Sequence, residues 1–507
     1  MTKSHCLTAN LKKEFNEIKK MKHMLLNRCI FLMVAACFIS SCHAQSIPDN
    51  TAVTVSPKTG EVLSWVTYTD KSKLLAPHHV EMFALRDKLP IHIEVNSDKR
   101  FQKIIGFGAN ISDASAWLIN KKLSPVAKQQ LLQDLFGPAP GAGFSFTRLT
   151  VGASDFSMRH YSLNDMPIGQ RDDQLSRFSI DPMKEDVLPV LKSALLVNPS
   201  LKVMASPWSA PAWMKTTDSL IKGTLRTDAF DVFARYLNQF ADAMSQEGIE
   251  LHAITLQNEP HFEPDDYPGM RLMPAQRADL IGNYVGPLFS KRKNKIRILD
   301  WDHNWDEVQS PLEVLANDKA RQFVDGVAWH CYGGDVKSQN QVHDAYPDKE
   351  TYFTECSGGE WKPHWEETLP WYMKNLIIGT TRGWAKGVLM WNIALDEKYG
   401  PHLGGCKDCR GVVTIDSVTG NVTKNLDYYA LAHASRFVRQ GAERIYSSFG
   451  TEGIETVAFQ NADDHSIALI VLNGAAQKRQ FSIQYKDKLI SHELPAASVM
   501  TLTWRDW

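Results

Sequence analysis

From residue 101 the chain alternates short, near-continuously apolar runs with longer amphipathic stretches. The apolar runs cover 104–109, 144–151, 202–208, 252–259, 295–303, 326–332, 351–357 and 386–394. They are rich in β-branched and aromatic residues, the pattern of strands buried on both faces. Amphipathic stretches at 124–137, 184–198, 227–247, 274–292, 364–381 and 426–439 follow or separate them. Repeated strand–helix units of this kind predict an α/β protein built on a (β/α)8 barrel.

The flanks carry a different period. Residues 455–459, 466–472, 480–484 and 499–504 read as short strands, separated by turn-formers such as Asn461, Asp463, Asp464, Asn473 and Gly474. Residues 62–68 and 91–95 look alike. The two flanks predict one β-sandwich, assembled from both termini at the side of the barrel. The expected organisation is a leader at 1–42, an N-terminal segment of the sandwich at 43–100, the barrel at 101–440 and the C-terminal sandwich at 441–507.

Composition narrows the function. The chain has 507 residues, 43% of them hydrophobic and 22% charged, with a formal net charge of -1. No basic stripe stands out, so nucleic acid is not an expected partner. Residues 30–39 form an apolar run too short to span a bilayer, preceded by Lys22 and Arg28, and read as a signal peptide. Met21 or Met24 is the expected start of that leader. Ile39-Ser40-Ser41-Cys42 resembles a bacterial lipobox, which makes Cys42 a lipidated N-terminus; ordinary cleavage after Ala44 is the alternative. Both routes imply an exported protein. The sequence sets no oligomeric state.

Active sites of such barrels lie at the C-terminal ends of the strands. The eight apolar runs lead in turn to Asp113, to Arg148 and Asp155, to Trp208, to Asn258-Glu259, to Asp300 and Asp302, to His330 and Tyr332, to Glu355, and to Trp391-Asn392. Glu259 and Glu355 stand out, since each closes an apolar strand and the two face each other across the ring. Opposed carboxylates are what glycoside hydrolysis requires: one protonates the leaving oxygen and the other attacks or stabilises the sugar cation. One such glutamate alone would read as a solvated strand-end acid. Asp300, Asp302 and His303 alternate faces on one strand, so no metal is expected, and no cofactor.

Gly106-Phe107-Gly108, Ser112-Asp113, Arg148, the run from Ala205 to Trp213 (ASPWSAPAW), Asn258-Glu259-Pro260, His330-Cys331-Tyr332, Thr354-Glu355 and Trp391-Asn392 together resemble glycoside hydrolase family 30. That family includes glucosylceramidases and β-1,6-glucanases. The resemblance implies a barrel with a side β-sandwich and hydrolysis with retained anomeric configuration. It implies Glu259 as acid/base, Glu355 as nucleophile and Asn258 on the sugar 2-OH. It implies Asp113, Trp208 and Trp391 as binders of sugar hydroxyls, and Arg148, Tyr332 and His330 as the groups that hold Glu355 ionised. Asp155 is expected in a supporting role, Trp213 in the core or a subsite wall, and Asp302 with His303 at the acceptor side. Glu259 is expected to owe a raised pKa to the neighbouring carboxylate charge.

Ala109 replaces the second glycine of the family's Gly-Phe-Gly-Gly. His402 follows Gly400-Pro401 where glucosylceramidase has an asparagine. The loop that follows resembles the glucanase-like branches and is polar. The expected substrate is therefore a β-linked glucose oligo- or polysaccharide, with β-1,6-glucan ahead of glucosylceramide. Cys406 and Cys409 lack the further ligands zinc would need and the thioredoxin-like unit a redox motif would need. In an exported protein they read as a local disulfide. The reading from a different class is a non-catalytic carbohydrate-binding surface lipoprotein, against which both intact glutamates stand.

Overall fold

The computed structural model describes residues 57–78, 88–449 and 451–505. The leader, with Cys42 and its lipobox, lies outside the described residues. Eight strands, β1 (Gly106–Asn110), β2 (Phe146–Val151), β3 (Lys202–Pro207), β4 (Leu251–Thr255), β5 (Arg297–Asn304), β6 (Val324–His330), β7 (Glu350–Glu355) and β8 (Ala385–Asn392), pair in sequence order and close into a barrel. All the neighbours in the ring run parallel. The barrel interior is packed by Phe146, Met204, Ala253, Leu299, Ala328, Tyr352 and Leu389, one residue from each of β2 to β8. Such layering makes the barrel a solid core and leaves the strand ends to carry chemistry.

Local sequence explains the main elements. Ser112 caps the helix Asp113–Lys121, and Ser124 caps Pro125–Phe136 with a proline in its first turn. The helix Asp113–Lys121 is absent from the amphipathic pattern because it buries Ala114, Ser115 and Ala116 beside Leu118 and Ile119, which gives little contrast. Ser338–Ala345 is missed for a related reason, since it buries only Gln339 and Val342. Strand β4 ends at Thr255 rather than at Glu259, and the residues between form a turn above the barrel.

The flanks meet as expected. A nine-stranded sheet runs Ala76–His78, Val62–Thr67, Ser498–Trp504, Ile467–Asn473, Ile454–Gln460, Glu443–Ser447, His92–Lys103, Arg479–Tyr485 and Lys488–Leu494. Both termini contribute to its core, from Val66, Ile93 and Val95 to Leu469, Leu502 and Trp504. It is anchored to the barrel through the helix Leu426–Ser435. There the buried His433 bonds Thr501 Oγ1 at 2.9 Å and Thr67 Oγ1 at 2.8 Å. Arg382 adds contacts to Ser447 O at 2.7 Å and Thr456 O at 2.6 Å.

Candidate active site

The functional side chains sit where strands give way to turns. Asn258 N–H donates to Pro207 O at 2.8 Å and Glu259 N–H donates to Asp302 O at 3.0 Å, so the turn after β4 is stitched to the ends of β3 and β5. Glu259, Trp301 and Asp302 all have positive φ, at 48°, 78° and 56°. For non-glycine residues this costs on the order of 1–3 kcal/mol each. Glu259 and Asp302 are thereby brought to the two nitrogens of one histidine, His330.

Arg148 is the hub. Its guanidinium is wholly buried and donates to Glu355 Oε2 at 2.5 Å, Asn258 Oδ1 at 2.7 Å, Asp302 Oδ2 at 2.8 Å and Ser206 Oγ at 3.0 Å. Tyr332 Oη donates to Glu355 Oε1 at 3.0 Å. The two oxygens of Glu355 are thus fixed from opposite sides, as the sequence reading expects of Arg148 and Tyr332. His330 behaves differently. It bridges Glu259 Oε1, 3.1 Å from Nδ1, and Asp302 Oδ1, 3.0 Å from Nε2, and makes no hydrogen bond to Glu355. The imidazole follows Asp302 because that carboxylate is anchored already, accepting from Thr354 Oγ1 at 2.7 Å, Ser206 Oγ at 2.8 Å and Thr255 Oγ1 at 2.7 Å.

The electrostatics follow this wiring. Burial opposes ionisation of Asp302, but Arg148 and His330 outweigh it and hold the carboxyl well below its usual range. His330 is pushed up to about 9; burial works against its charge, and Glu355, Asp302 and Glu259 overcome burial. Burial would also raise Glu259, yet His303 and His330 beside it hold it below the ordinary carboxylate range, the reverse of the sequence expectation. Glu355 lies above its ordinary value, raised by burial and by the charge of Glu259 against the pull of His330 and Arg148. These directions favour the charged form of His330, whose Nδ1 stands next to Glu259 Oε1.

Glu259 and Glu355 line one cavity of about 270 Å3 together with Asp155, Trp208, Asn258, Tyr267, Tyr332, Trp361, Trp391, Cys406 and Cys409. Trp208 and Trp391 stack with ring centroids 4.9 Å apart, and the guanidinium of Arg148 lies 4.8 Å from the Trp208 ring. Asp113 is not among the residues of this cavity. It opens the helix Asp113–Lys121, borders a different cavity with Arg159 and Asp186, and accepts from Tyr161 Oη at 3.0 Å. Burial pushes its carboxyl up to about 6, although Ser157 and Tyr161 pull the other way.

Asp155, from the loop after β2, does line the catalytic cavity. Burial and the charge of Glu355 raise its pKa well above the usual value. Asp302 lies wholly inside the hydrogen-bond network, which corrects its expected place at the acceptor side. Trp213 is core, its indole N–H donating to Asn164 Oδ1 at 2.9 Å. Asp300 faces away to Arg277, 2.8 Å from its Nε.

Tyr267 and Trp361 come from loops whose sequence carries no strand-end signal. A second cavity of about 480 Å3 adjoins the first, sharing Tyr332 and Trp361 and adding Trp371, Lys362 and Glu367. The expected Cys406–Cys409 disulfide is present. A second bond, Cys331–Cys356, ties the ends of β6 and β7, directly after His330 and Glu355.

Residues 104–438 match the model of the glycosyl hydrolase family 30 TIM-barrel domain, and residues 441–502 match that family's beta sandwich domain. The chain is 35% identical over 396 residues to Endo-1,6-beta-D-glucanase neg1 of Aspergillus fumigatus, covering 73% of this chain and 78% of that protein. It is 28% identical over 452 residues to the lysosomal acid glucosylceramidase of Mus musculus, with 82% and 83% covered. Among solved structures it superposes on the endo-beta1,6-glucanase BT3312 with a TM-score of 0.81 at 30% identity, covering 88% of this chain and 99% of that one.

Proposed function

The chain belongs to glycosyl hydrolase family 30 and is a glycoside hydrolase; from that premise we propose that it cleaves β-1,6-linked glucan by double displacement, with Glu355 as nucleophile and Glu259 as acid/base. The observation that carries this reading is the pair itself, a buried Glu355 and a partly buried Glu259 in one cavity, each with its own set of polar partners.

Arg148 and Tyr332 stabilise the carboxylate form of Glu355 and aim it, so that an oxygen attacks the anomeric carbon. Glu259 needs a proton to expel the leaving group. His330 holds that proton 3.1 Å away, and its transfer to Glu259 leaves the net charge of the cluster unchanged. Once the sugar is bound to Glu355, Glu259 acts as base and takes a proton from the attacking water. The carbonyl oxygen of the Asn258 amide is taken by Arg148, which leaves its NH2 group to donate to the sugar 2-OH. Trp208, Trp391 and Asp155 complete the wall of the first subsite.

The substrate follows from the relatives' glucanase activity and from the adjoining cavity. Trp361, Trp371 and Tyr332 are 48%, 41% and 46% exposed there, with Lys362 and Glu367 between them. An aromatic floor with polar rims suits a second sugar. Ceramide calls for a continuous apolar rim, whereas the loop after β8 carries Asp396, Glu397, Lys398, His402, Lys407, Asp408 and Arg410. Export, with a lipid anchor at Cys42, belongs to the same reading.

The test is a comparison of kcat/KM on β-1,6-linked gluco-oligosaccharides, β-1,3- and β-1,4-linked glucans, aryl β-xylosides and glucosylceramide in detergent. Preference for the β-1,6 series is expected. A preference for glucosylceramide or xyloside would overturn the substrate while leaving the two glutamates in place.

A further inference from the structure

The acid/base glutamate has a second neighbour that the hydrolytic reading leaves idle. His303, at the end of β5, is 8% exposed, and its Nδ1 has no hydrogen-bond partner. That nitrogen points at Glu259 Oε1 from 3.5 Å, and His330 Nδ1 lies 3.1 Å from the same oxygen. Among the described residues, Glu259, His303 and His330 are a group whose ligand atoms all lie within 4.8 Å of one another. Each comes from a different strand end, so the cluster exists only in the folded barrel and not along β5 alone.

We propose that Glu259, His303 and His330 form a site for a divalent transition-metal ion, zinc above all, that binding releases the proton of His330 Nδ1 to solvent, and that filling the site shuts off hydrolysis. Two imidazoles and a carboxylate are a known donor set for zinc, which bonds to such nitrogens and oxygens at about 2.0–2.2 Å. Donors around a tetrahedral ion of that size stand about 3.3–3.5 Å apart. Two edges of the cluster, at 3.1 and 3.5 Å, are within a few tenths of an ångström of this length, and the His303–His330 edge needs to contract by little more than an ångström at most.

The outer support is also built. A metal-binding histidine usually gives its second nitrogen to a carboxylate, which fixes the ring. His330 Nε2 meets Asp302 Oδ1 at 3.0 Å, and Asp302 is itself locked by Arg148, Thr354 and Ser206. Glu259 also lines the cavity it shares with Glu355, from which a water or a sugar hydroxyl would supply a fourth ligand. Imidazole donors disfavour calcium and magnesium, which prefer all-oxygen shells.

Inhibition rests on the reading of Glu259 as proton donor: an oxygen bound to zinc cannot carry the proton. Binding does not rest on it. The purified protein, freed of metal with a chelator, is titrated with zinc chloride by calorimetry and with cobalt(II) by visible absorption. Hydrolysis of 4-nitrophenyl β-glucoside is followed at each zinc level. One equivalent should bind, with a tetrahedral cobalt band, and zinc should inhibit over the same concentration range and be reversed by EDTA. His303→Gln, checked for folding by circular dichroism, should weaken binding at least tenfold and erase the cobalt band. His465→Ala, at an exposed turn of the sandwich, should change neither.

No stoichiometric binding, or binding untouched by His303→Gln, or binding lost in His465→Ala, would overturn the site. Zinc bound through His303 with hydrolysis undiminished would leave the site standing and overturn the assignment of Glu259 as proton donor.

Discussion

Arg148 and Glu355 form a charge pair at 2.5 Å in which the guanidinium is completely enclosed and the carboxylate nearly so. A lone buried carboxylate would resist ionisation; this one is offered a fork that also reaches Asn258, Asp302 and Ser206. Lysine keeps the charge and loses the fork. Arg148→Lys should therefore fold and lose about 10²–10³-fold in kcat, the usual effect of removing one preorganised donor. Arg148→Ala leaves Asp302 and Glu355 buried without their cation, and should cost roughly 3–5 kcal/mol in a urea titration.

The roles of the two glutamates separate stereochemically. Glu355→Ala should abolish turnover, and azide added with an activated β-glycoside should enter the vacated face and give the α-glycosyl azide. Glu259→Ala should still form the covalent intermediate on Glu355, and azide should then give the β-glycosyl product. Proton NMR of the anomeric signal distinguishes the two. Inversion by the wild-type enzyme would contradict double displacement.

Glu259 and Glu355 are legible in sequence because the first follows an apolar strand and the second closes one, and the barrel rule says which end matters. Arg148 and Tyr332 are legible with them, through the motifs they sit in. The partner of His330 is not: spacing along β6 brings the ring to the mouth of the barrel, but only the turn at Glu259 and the irregularity within β5 at Asp302, both at positive φ, decide which carboxylates it meets. The same two features bring His303 to Glu259. Asp155 and Asp113 show the limit in another way. Both follow strand ends, yet the loop after β2 carries Asp155 into the cavity, while the Ser112 cap starts a helix that holds Asp113 against Tyr161. The disulfide between Cys331 and Cys356 needs β6 and β7 to be neighbours with their ends in register, a relation given by parallel pairing of consecutive strands and not by cysteine spacing.

His433 predicts an acid-sensitive seam between barrel and sandwich. Burial, with Arg436 nearby, lowers its pKa to about 3, so it is neutral in the folded protein across the acid range. The unfolded chain takes up a proton below about 6.5. The native state then binds fewer protons, and stability falls as pH drops from about 6.5 toward 3, by at most about 1.4 kcal/mol per pH unit from this residue. Urea midpoints at pH 7, 5.5 and 4 (roughly spanning that window) should fall less steeply for His433→Gln than for the wild type. Equal slopes would rule out His433 as a contributor.

The Cys331–Cys356 bond should matter for both stability and rate. It closes a 25-residue separation, for which the chain-entropy estimate is about 3.5 kcal/mol. Its two ends are adjacent to Tyr332 and Glu355, which hydrogen-bond each other at 3.0 Å. The double variant Cys331→Ser/Cys356→Ser should lower the urea midpoint and reduce kcat more than it raises KM, because the Tyr332–Glu355 alignment loosens. Thiol titration of the denatured, unreduced wild type should find no free sulfhydryl among Cys331, Cys356, Cys406 and Cys409.

Trp361 gives the sharpest test of the acceptor side. Its ring belongs to both cavities and lies against Gly359, so closely that a Cβ at that glycine would sit 1.9 Å from Trp361 Cζ3. Glycine thus lets the indole lie on the backbone of the loop after β7, half exposed, as a platform for a sugar ring. Losing such a platform forfeits about 1–2 kcal/mol of apolar contact, roughly tenfold in affinity. Trp361→Ala should therefore raise KM about tenfold on β-1,6-linked oligosaccharides while leaving an aryl β-glucoside, which fills little beyond the first subsite, within about twofold. Gly359→Ala should act in the same direction by lifting the indole off its bed, without removing an aromatic group. If both variants slow the aryl glucoside as much as the oligosaccharide, Trp361 serves the first subsite instead, and the adjoining cavity is not where the second sugar binds.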